Sequence, residues 1–523
     1  MEDIALSLVS HTNVGKTTLA RTLLRKDVGT VFDQAHVTEV SDAWPLIESA
    51  DARLLLWDTP GFGDSARLLR RLRQESNPIG WFLHAVWDKV TNRALWCSQE
   101  AVRNIRDDAD VVVYLVNAAE DPEDAAYVPL ELEILDWLDC PVLLLLNQTG
   151  VAADVPVLEQ RWREAVMRFP RVRDVMSLDA FTRCWVQEAT LLERVGCLLT
   201  GRAQHHMTGL IDSLNARNLE VFNRAVEAVS CLLAETAVDR EVLPSTLASK
   251  ADKRRAMAAL AQRLEERLRA LMETLIELHG LDGEAASEVR ERIEDFILPA
   301  ESPVNVRGGA IWGGLLTGAA TGVTAEVMTG GLGFGSGVVV GAALGALGGA
   351  GLAKGFQIVL GFGKEPAVRW GADYLTGCTR QCALRYLAVA QFGRGRGAFH
   401  DDALASGEDN PWVAALDVVL DERSEGFSRI WKQVVGPGSK KAVRWPSAAT
   451  GAAVAERPVD LEMETAPDGS GAFTEDSEQK PEEGSDSQRR RAPRQVSDQI
   501  RGLLGDVLTA RYPEARTLLR DEG

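Results

Sequence analysis

The chain has 523 residues and a formal net charge of −19 at pH 7. That length excludes one hydrophobic core and implies two to four domains, and the charge excludes a nucleic-acid binder driven by phosphate neutralisation. Apolar residues at 46% and charged residues at 25% are ordinary for a globular protein.

In chain order, the N-terminus "MEDIALSLVS" carries acids where an export signal needs lysine or arginine, so a cytoplasmic chain is expected. Across residues 1–200, "IALSLVS", "ARLLLWDTP", "DVVVYLVNA" and "CPVLLLLNQ" read as strands buried on both faces. Amphipathic helices are expected between them, one from near Val14, one over Ala125–Leu138 and one over Val155–Arg168. The pattern predicts an α/β domain with a mixed, mostly parallel sheet. Residues 203–300 are expected to be helical. Met257, Leu260, Leu264, Leu268, Leu271, Leu275 and Leu278 form one apolar stripe there, for a bundle interior or a partner face.

Residues 308–353 form a glycine-rich segment in which Glu326 is the only charge. Gly314, Gly318 and Gly322, then Gly333, Gly337, Gly341, Gly345 and Gly349, recur every four residues. That spacing predicts a close-packed helical hairpin. It fits either a membrane hairpin at the inner face of the cell membrane or a buried soluble one. Residues 365–436 continue the helical region. Residues 450–496 read as a disordered acidic linker, and 497–523 as a short C-terminal helix capped by Ser497 and carrying Ile500, Leu503, Leu504, Val507 and Leu508. The seven cysteines show no zinc spacing. Cys378 and Cys382, four apart, read as a reduced structural pair on one helix face.

Chemistry concentrates in two motifs. "SHTNVGKTT" (Ser10–Thr18) follows a strand and opens a helix, the context of a phosphate-binding loop, with Ser10 in the place of the first glycine. Backbone N–H groups from Ser10 through Val14, Gly15 and Thr18 are expected to face phosphates. Lys16 reaches the β- and γ-phosphates, and the Thr17 hydroxyl ligates Mg²⁺. "LLLWDTPGF" ends a strand in Asp58-Thr59-Pro60-Gly61. Asp58 can hold Mg²⁺ through water. Gly61 can bring its N–H to the γ-phosphate and move when that phosphate leaves. Thr38, in the loop between the motifs, is read as a further Mg²⁺ ligand or else a strand threonine. The segment after Asp58 carries an insertion with Trp81, Trp87 and Trp96, read as packing onto its own domain or as a contact surface coupled to the second motif.

This set resembles the Era-like (TrmE–Era) GTPases, whose loop reads G-x-x-N-x-G-K-S/T and whose second motif reads D-T-P-G. The resemblance covers roughly residues 1–200. The whole layout looks like bacterial proteins in which such a GTPase precedes a helical domain of unknown function. The resemblance implies a K⁺-binding role for Asn13 beside the phosphates. Phe62 stands where Ras-like members place a water-orienting glutamine. It implies slow intrinsic hydrolysis assisted by K⁺, a partner or nucleotide-dependent homodimerisation. The family reads guanine with N-K-x-D, whereas this chain has Asn147-Gln148-Thr149-Gly150. Asn147 is in place and Gln148 can cover the base, but Gly150 brings no carboxylate for guanine N1 and N2, so guanine preference is open. Ser177, in "VMSLDAF", is a candidate for the last base-contacting loop.

The reading that follows is a GTP-binding and hydrolysing regulatory switch bound to GTP or GDP and Mg²⁺. Its nucleotide state is read by a helical effector region that contacts a membrane or a protein. A non-hydrolysing nucleotide-binding scaffold and an NTPase of relaxed base specificity are the alternatives. Nucleic acid is not an expected partner, since no RNA-binding module is recognisable.

Overall fold

A computed structural model of the chain describes residues 1–25, 42–84, 92–148, 155–178, 184–281, 356–360, 365–391, 411–435 and 483–520. Thr38, Trp87, Thr149, Gly150 and the glycine-rich segment 308–353 lie outside the described residues.

The six strands of the first sheet are β1 (Glu2–Ser10), β2 (Asp42–Glu48), β3 (Ala52–Asp58), β4 (Val111–Asn117), β5 (Val142–Asn147) and β6 (Val172–Ser177). Their order is β2-β3-β1-β4-β5-β6, and only β2 runs antiparallel. Every residue of β5 is buried, as is β1 from Ile4 to Ser10. The apolar runs of the sequence are continuous because helices cover both faces. These are α1 (Lys16–Leu24), α2 (Ser65–Leu72), α3 (Pro78–His84), α4 (Arg93–Asp107), α5 (Tyr127–Asp136), α6 (Val155–Val166) and α7 (Trp185–Leu198). Strand order reverses at β1, with β3 on one side and β4 on the other. The crevice at the C-terminal end of β1 is therefore the switch point where open α/β sheets bind ligands.

The tryptophan-bearing insertion supplies α3 and α4. Phe82 and Leu95 are buried in the sheet's core, with Trp81 packed against that core. The insertion also touches the second motif. Gly63 N–H donates to Ser98 Oγ at 3.2 Å, and a Cβ at Gly63 would come within 2.5 Å of Ala94 Cβ. Only glycine fits under α4 at that approach.

The helical region follows on α8 (Gly201–Val238) and α9 (Lys250–Leu278). Ser249 and Asp252 form a reciprocal capping box that starts α9. The stripe from Met257 to Leu275 is buried, with Leu278 packed at its edge, so it is bundle interior. Helices α10 (Ala372–Ala390), α11 (Pro411–Glu422), α12 (Ser424–Val435), α13 (Glu483–Arg511) and α14 (Ala515–Leu518) complete this core. Cys378 and Cys382 lie buried on one face of α10, as free thiols. The sequence reading missed a small antiparallel sheet in order β7-β9-β8, built from β7 (Arg240–Val242), β8 (Phe356–Leu360) and β9 (Pro366–Trp370). The short "REV" of β7 carries no local strand signal, because its pairing lies on a distant segment. Helix α13 also begins at Glu483, inside the expected disordered linker, and Ser497 lies within it rather than at its start. Helix propensity does not explain this extension, because Gly484 and Pro493 lie in the added stretch. Among the described residues no helix is long and apolar enough to cross a membrane.

Helix α8 belongs to two cores at once. Met207, Leu210, Ile211 and Leu214 pack with the first sheet, whereas Phe222, Val226, Val229 and Leu233 pack in the helical region. Its 38 residues span about 57 Å at 1.5 Å per residue. Arg25, at the C-terminal end of α1, donates to Asn218 Oδ1 of α8 at 2.9 Å and lies 3.6 Å from Glu188 of α7. The two regions are thus joined by continuous backbone, by packing and by a charged side chain.

Two outcomes test this packing. Leu504, wholly buried on α13, is expected to cost about 2–5 kcal/mol when cut to alanine, read as a lower denaturation midpoint of the helical region. A tail lying free would show no change. Burial pushes Asp239 up, but hydrogen bonds from Arg263 and Arg267 more than offset it, holding the carboxyl below 3.8. The ionised form is therefore favoured in the folded state, and its stabilisation is present above pH 3.8 and fades as pH falls through the lower folded value. Asp239→Asn should lower thermal stability at neutral pH, with the gap to wild type closing in acid.

Candidate functional site

The loop after β1 is shaped by two left-handed residues, Asn13 at φ 65° and Gly15 at φ 99°. Asparagine tolerates that region and glycine favours it. A Cβ on Gly15 would also stand 2.7 Å from Asn147 Nδ2. Asn147, wholly buried at the end of β5, donates from Nδ2 to Val14 O at 2.7 Å. The candidate base-reading strand and the candidate phosphate loop are therefore fastened together. Gln148 follows at φ 58°. Asn13 is exposed at the loop tip, and Thr18 is buried on α1.

Lys16 is the first residue of α1, and its Nζ donates to Ser10 Oγ at 3.0 Å. The serine in place of glycine thus holds the lysine across the loop. Burial pulls the Lys16 ammonium down from its ordinary value, while Asp58 and Glu131 pull the other way. Thr17 Oγ1 donates to Asp58 Oδ2 at 2.7 Å. Asp58 Oδ1 is buried and has no hydrogen-bond partner among the described residues. Burial raises the Asp58 carboxyl above its ordinary value, against the opposing effects of Lys16 and the Thr17 bond. A hydroxyl beside a carboxylate with an orphaned oxygen is a hard-oxygen donor set of the kind Mg²⁺ takes. Among the described residues no group of three or more His, Cys, Asp or Glu is placed to hold a metal ion.

Gly61 sits on the loop. A Cβ there would meet Lys16 Nζ at 3.0 Å and Thr12 Cα at 3.2 Å. Phe62 N–H donates to Ser10 O at 2.9 Å, and Phe62 pairs with His11 as a parallel bridge. The Phe62 side chain is wholly buried in the core, so it faces away from the loop and presents no group to a water.

Ser10, Asn13, Val14, Gly15, Lys16, Thr17, Asp58, Gly61 and Asn147 therefore converge at the ends of β1, β3 and β5. Ser177 ends β6 in register with Leu146. Its N–H donates to Glu159 Oε1 at 2.7 Å, and its buried Oγ has no partner among the described residues.

Sequence reasoning missed Glu131, which lies at the back of this site. A signal for it was present. Glu131 is three residues after Val128 and four before Leu135, so it falls on the apolar face of α5, where an acid needs partners.

The GTPase family model described as "50S ribosome-binding GTPase" matches residues 5–148, and the model described as "Domain of unknown function (DUF3482)" matches residues 163–434. Comparison with curated proteins gives no match. Among solved structures, Era from Aquifex aeolicus bound to GDP and AlF4⁻ is 16% identical, covering 54% of this chain and 90% of that one at TM-score 0.29. Era in complex with MgGDPNP and a 16S ribosomal RNA segment is 15% identical, covering 53% and 89% at TM-score 0.29. The FeoB G-domain from Methanococcus jannaschii is 19% identical, covering 38% and 98% at TM-score 0.23. With over half its length matched by one model, the chain belongs to the DUF3482 family, with a domain that matches the 50S ribosome-binding GTPase model ahead of that region.

Proposed function

We propose that the protein is a regulatory GTPase in which a Mg²⁺-bound guanine nucleotide sits on the loop after β1 and its state is read by the helical region. The observation that carries this is the meeting of Lys16, Thr17, Asp58 and Gly61 around one buried, half-satisfied carboxylate. Lys16 binds the β- and γ-phosphates, Thr17 and Asp58 hold the metal, and Gly61 offers its N–H to the γ-phosphate. Mg²⁺, when bound, neutralises charge that develops on the transferred phosphoryl group. Thr38 is the proposed third protein contact to the metal. The loop backbone from Ser10 to Thr18 cradles the phosphates. Asn147, Gln148 and Ser177 flank the base.

Transmission to the helical region runs through Arg25 and α8. Arg25 ends the helix that the phosphate loop begins, and it stands directly before the segment that carries Thr38. A rearrangement of that segment acts on α8 and α7 at the same side chain. The proposed partner of the helical region is a membrane surface or a protein effector, and a nucleotide-dependent homodimer is a second route to assistance in hydrolysis. The net charge of −19 weighs against phosphate-driven RNA binding.

A second reading, a nucleotide-binding scaffold without turnover, is favoured by the burial of Phe62, since that position then supplies no water-orienting group. Asn13, exposed at the loop tip, is the proposed K⁺ contact that replaces an arginine finger.

Titration of fluorescent GDP, GTP, ATP and XTP analogues into the full chain is the primary test. Guanine nucleotides should bind in a Mg²⁺-dependent way, and Lys16→Ala should lower affinity at least about tenfold, since each lost charge-assisted hydrogen bond is worth about 1.5–3 kcal/mol. Equal binding of the three triphosphates, whatever their base, would replace the GTPase with an NTPase of relaxed specificity. Single-turnover hydrolysis should be slow and faster in K⁺ than in Na⁺ buffer, with Asn13→Ala removing the difference. Tight GTP binding with no cleavage in either buffer would leave the scaffold reading standing.

A further inference from the structure

The side chain of Glu131 is wholly buried, and it binds the loop, the second motif and the sheet together. Its Oε1 accepts from Ser65 Oγ at 2.6 Å and lies 2.7 Å from His11 Nδ1, which must be the donor against a carboxylate. Its Oε2 accepts from Tyr114 OH at 2.7 Å. Ser65 is the first residue of α2, His11 is in the phosphate loop, and Tyr114 is in β4. The His11 ring stacks on Tyr127 with centroids 4.5 Å apart. A buried carboxylate is costly unless its oxygens are occupied by donors, and here the donors come from three separate elements.

The segment just before Ser65 lies down on the loop. Phe62 N–H is bonded to Ser10 O, and a Cβ placed on Gly61 would stand 3.2 Å from Thr12 Cα and 3.0 Å from Lys16 Nζ. A γ-phosphate held by both Lys16 and the Gly61 N–H has to enter between those groups and lift Gly61 off the loop. A lift of Gly61 carries Ser65, four residues on, away from a carboxylate anchored on α5 and bound to His11 of the loop.

We propose that Glu131 is a positioning residue that latches the second motif onto the phosphate loop through Ser65 and His11, and that the γ-phosphate must release the Ser65 leg. The proposal rests on the reading of the site as GTP-binding. The latch stabilises the arrangement without a γ-phosphate contact, so it lowers affinity for GTP relative to GDP.

The test measures affinity of the full chain for a fluorescent GDP and a non-hydrolysable GTP analogue, with Mg²⁺. Ser65→Ala should leave GDP affinity unchanged and raise the GTP-analogue-to-GDP affinity ratio roughly tenfold, the size of one hydrogen bond to a charged acceptor. Glu131→Gln should move the ratio the same way. Tyr114→Phe, which removes a donor on the sheet rather than on the moving segment, should lower thermal stability and leave the ratio alone. An unchanged ratio in Ser65→Ala, or an equal shift in Tyr114→Phe, overturns the latch alone. Failure of the wild-type chain to bind GDP removes the GTP reading and the latch with it.

Discussion

The hydrogen bond from Asn147 to the carbonyl of Val14 is the constraint on which the site depends. It joins the end of β5 to a loop that hangs from β1, across a sheet in which those strands are separated by β4. The loop can meet Asn147 so closely only because Gly15 has no Cβ and sits at positive φ. With that contact made, the end of β5 and the loop that opens α1 share one frame. Ser10 then fits the frame rather than weakening it, because its hydroxyl accepts from Lys16. A glycine there would free the lysine but offer it no partner.

The second structural fact is that the GTPase domain and the helical region do not meet through a linker. Helix α8 is shared by two hydrophobic cores, and the N-terminal end of α7 packs into the helical one through Cys184, Trp185 and Val186. A continuous helix transmits displacement with little loss, since each turn is fixed by backbone hydrogen bonds and packed side chains. Arg25 ties the end of α1 to Asn218 midway along α8. Helix α13 closes the same core from the far end of the chain, with Val496, Ile500, Leu503, Leu504, Val507 and Leu508 all buried.

The sheet and the loop were legible because their signals are local. Four of the six strands are continuous apolar runs, and the two motifs each sit at a strand end where the chemistry needs them. The stripe on α9 was legible as a periodicity, though its role as bundle interior became clear only from the residues packed against it. What escaped the sequence was set by distant partners. The edge strand β2 is mostly exposed and takes its direction from β3. Strand β7 exists because β9, far along the chain, pairs with it. Ser497 has the chemistry of a helix cap, yet the helix runs past it and through Pro493. Glu131 was hidden in "PLELEIL", where Glu131 and Glu133 look alike by sequence. Their positions on α5 separate them: Glu133 reaches Arg73 at the surface, whereas Glu131 faces the core.

The charges around Lys16 show why two acids so close to a phosphate site are compatible with it. Burial weakens the hold of Lys16 on its proton, and Asp58 and Glu131 offset this only in part. A polyphosphate brought to this lysine would add repulsion from both carboxylates unless each were answered. Asp58 keeps a buried oxygen without a partner, so a cation binding there reverses the local sign and turns an obstacle into an anchor. Glu131 is answered differently, with both oxygens engaged by donors from His11, Ser65 and Tyr114. Its charge is spread into protein dipoles and needs no metal. The first acid thus keeps an oxygen open to a cation, and the second has both oxygens engaged in holding protein against protein. The loop lies between them, so a group that binds the first side and displaces the second can convert phosphate chemistry into motion.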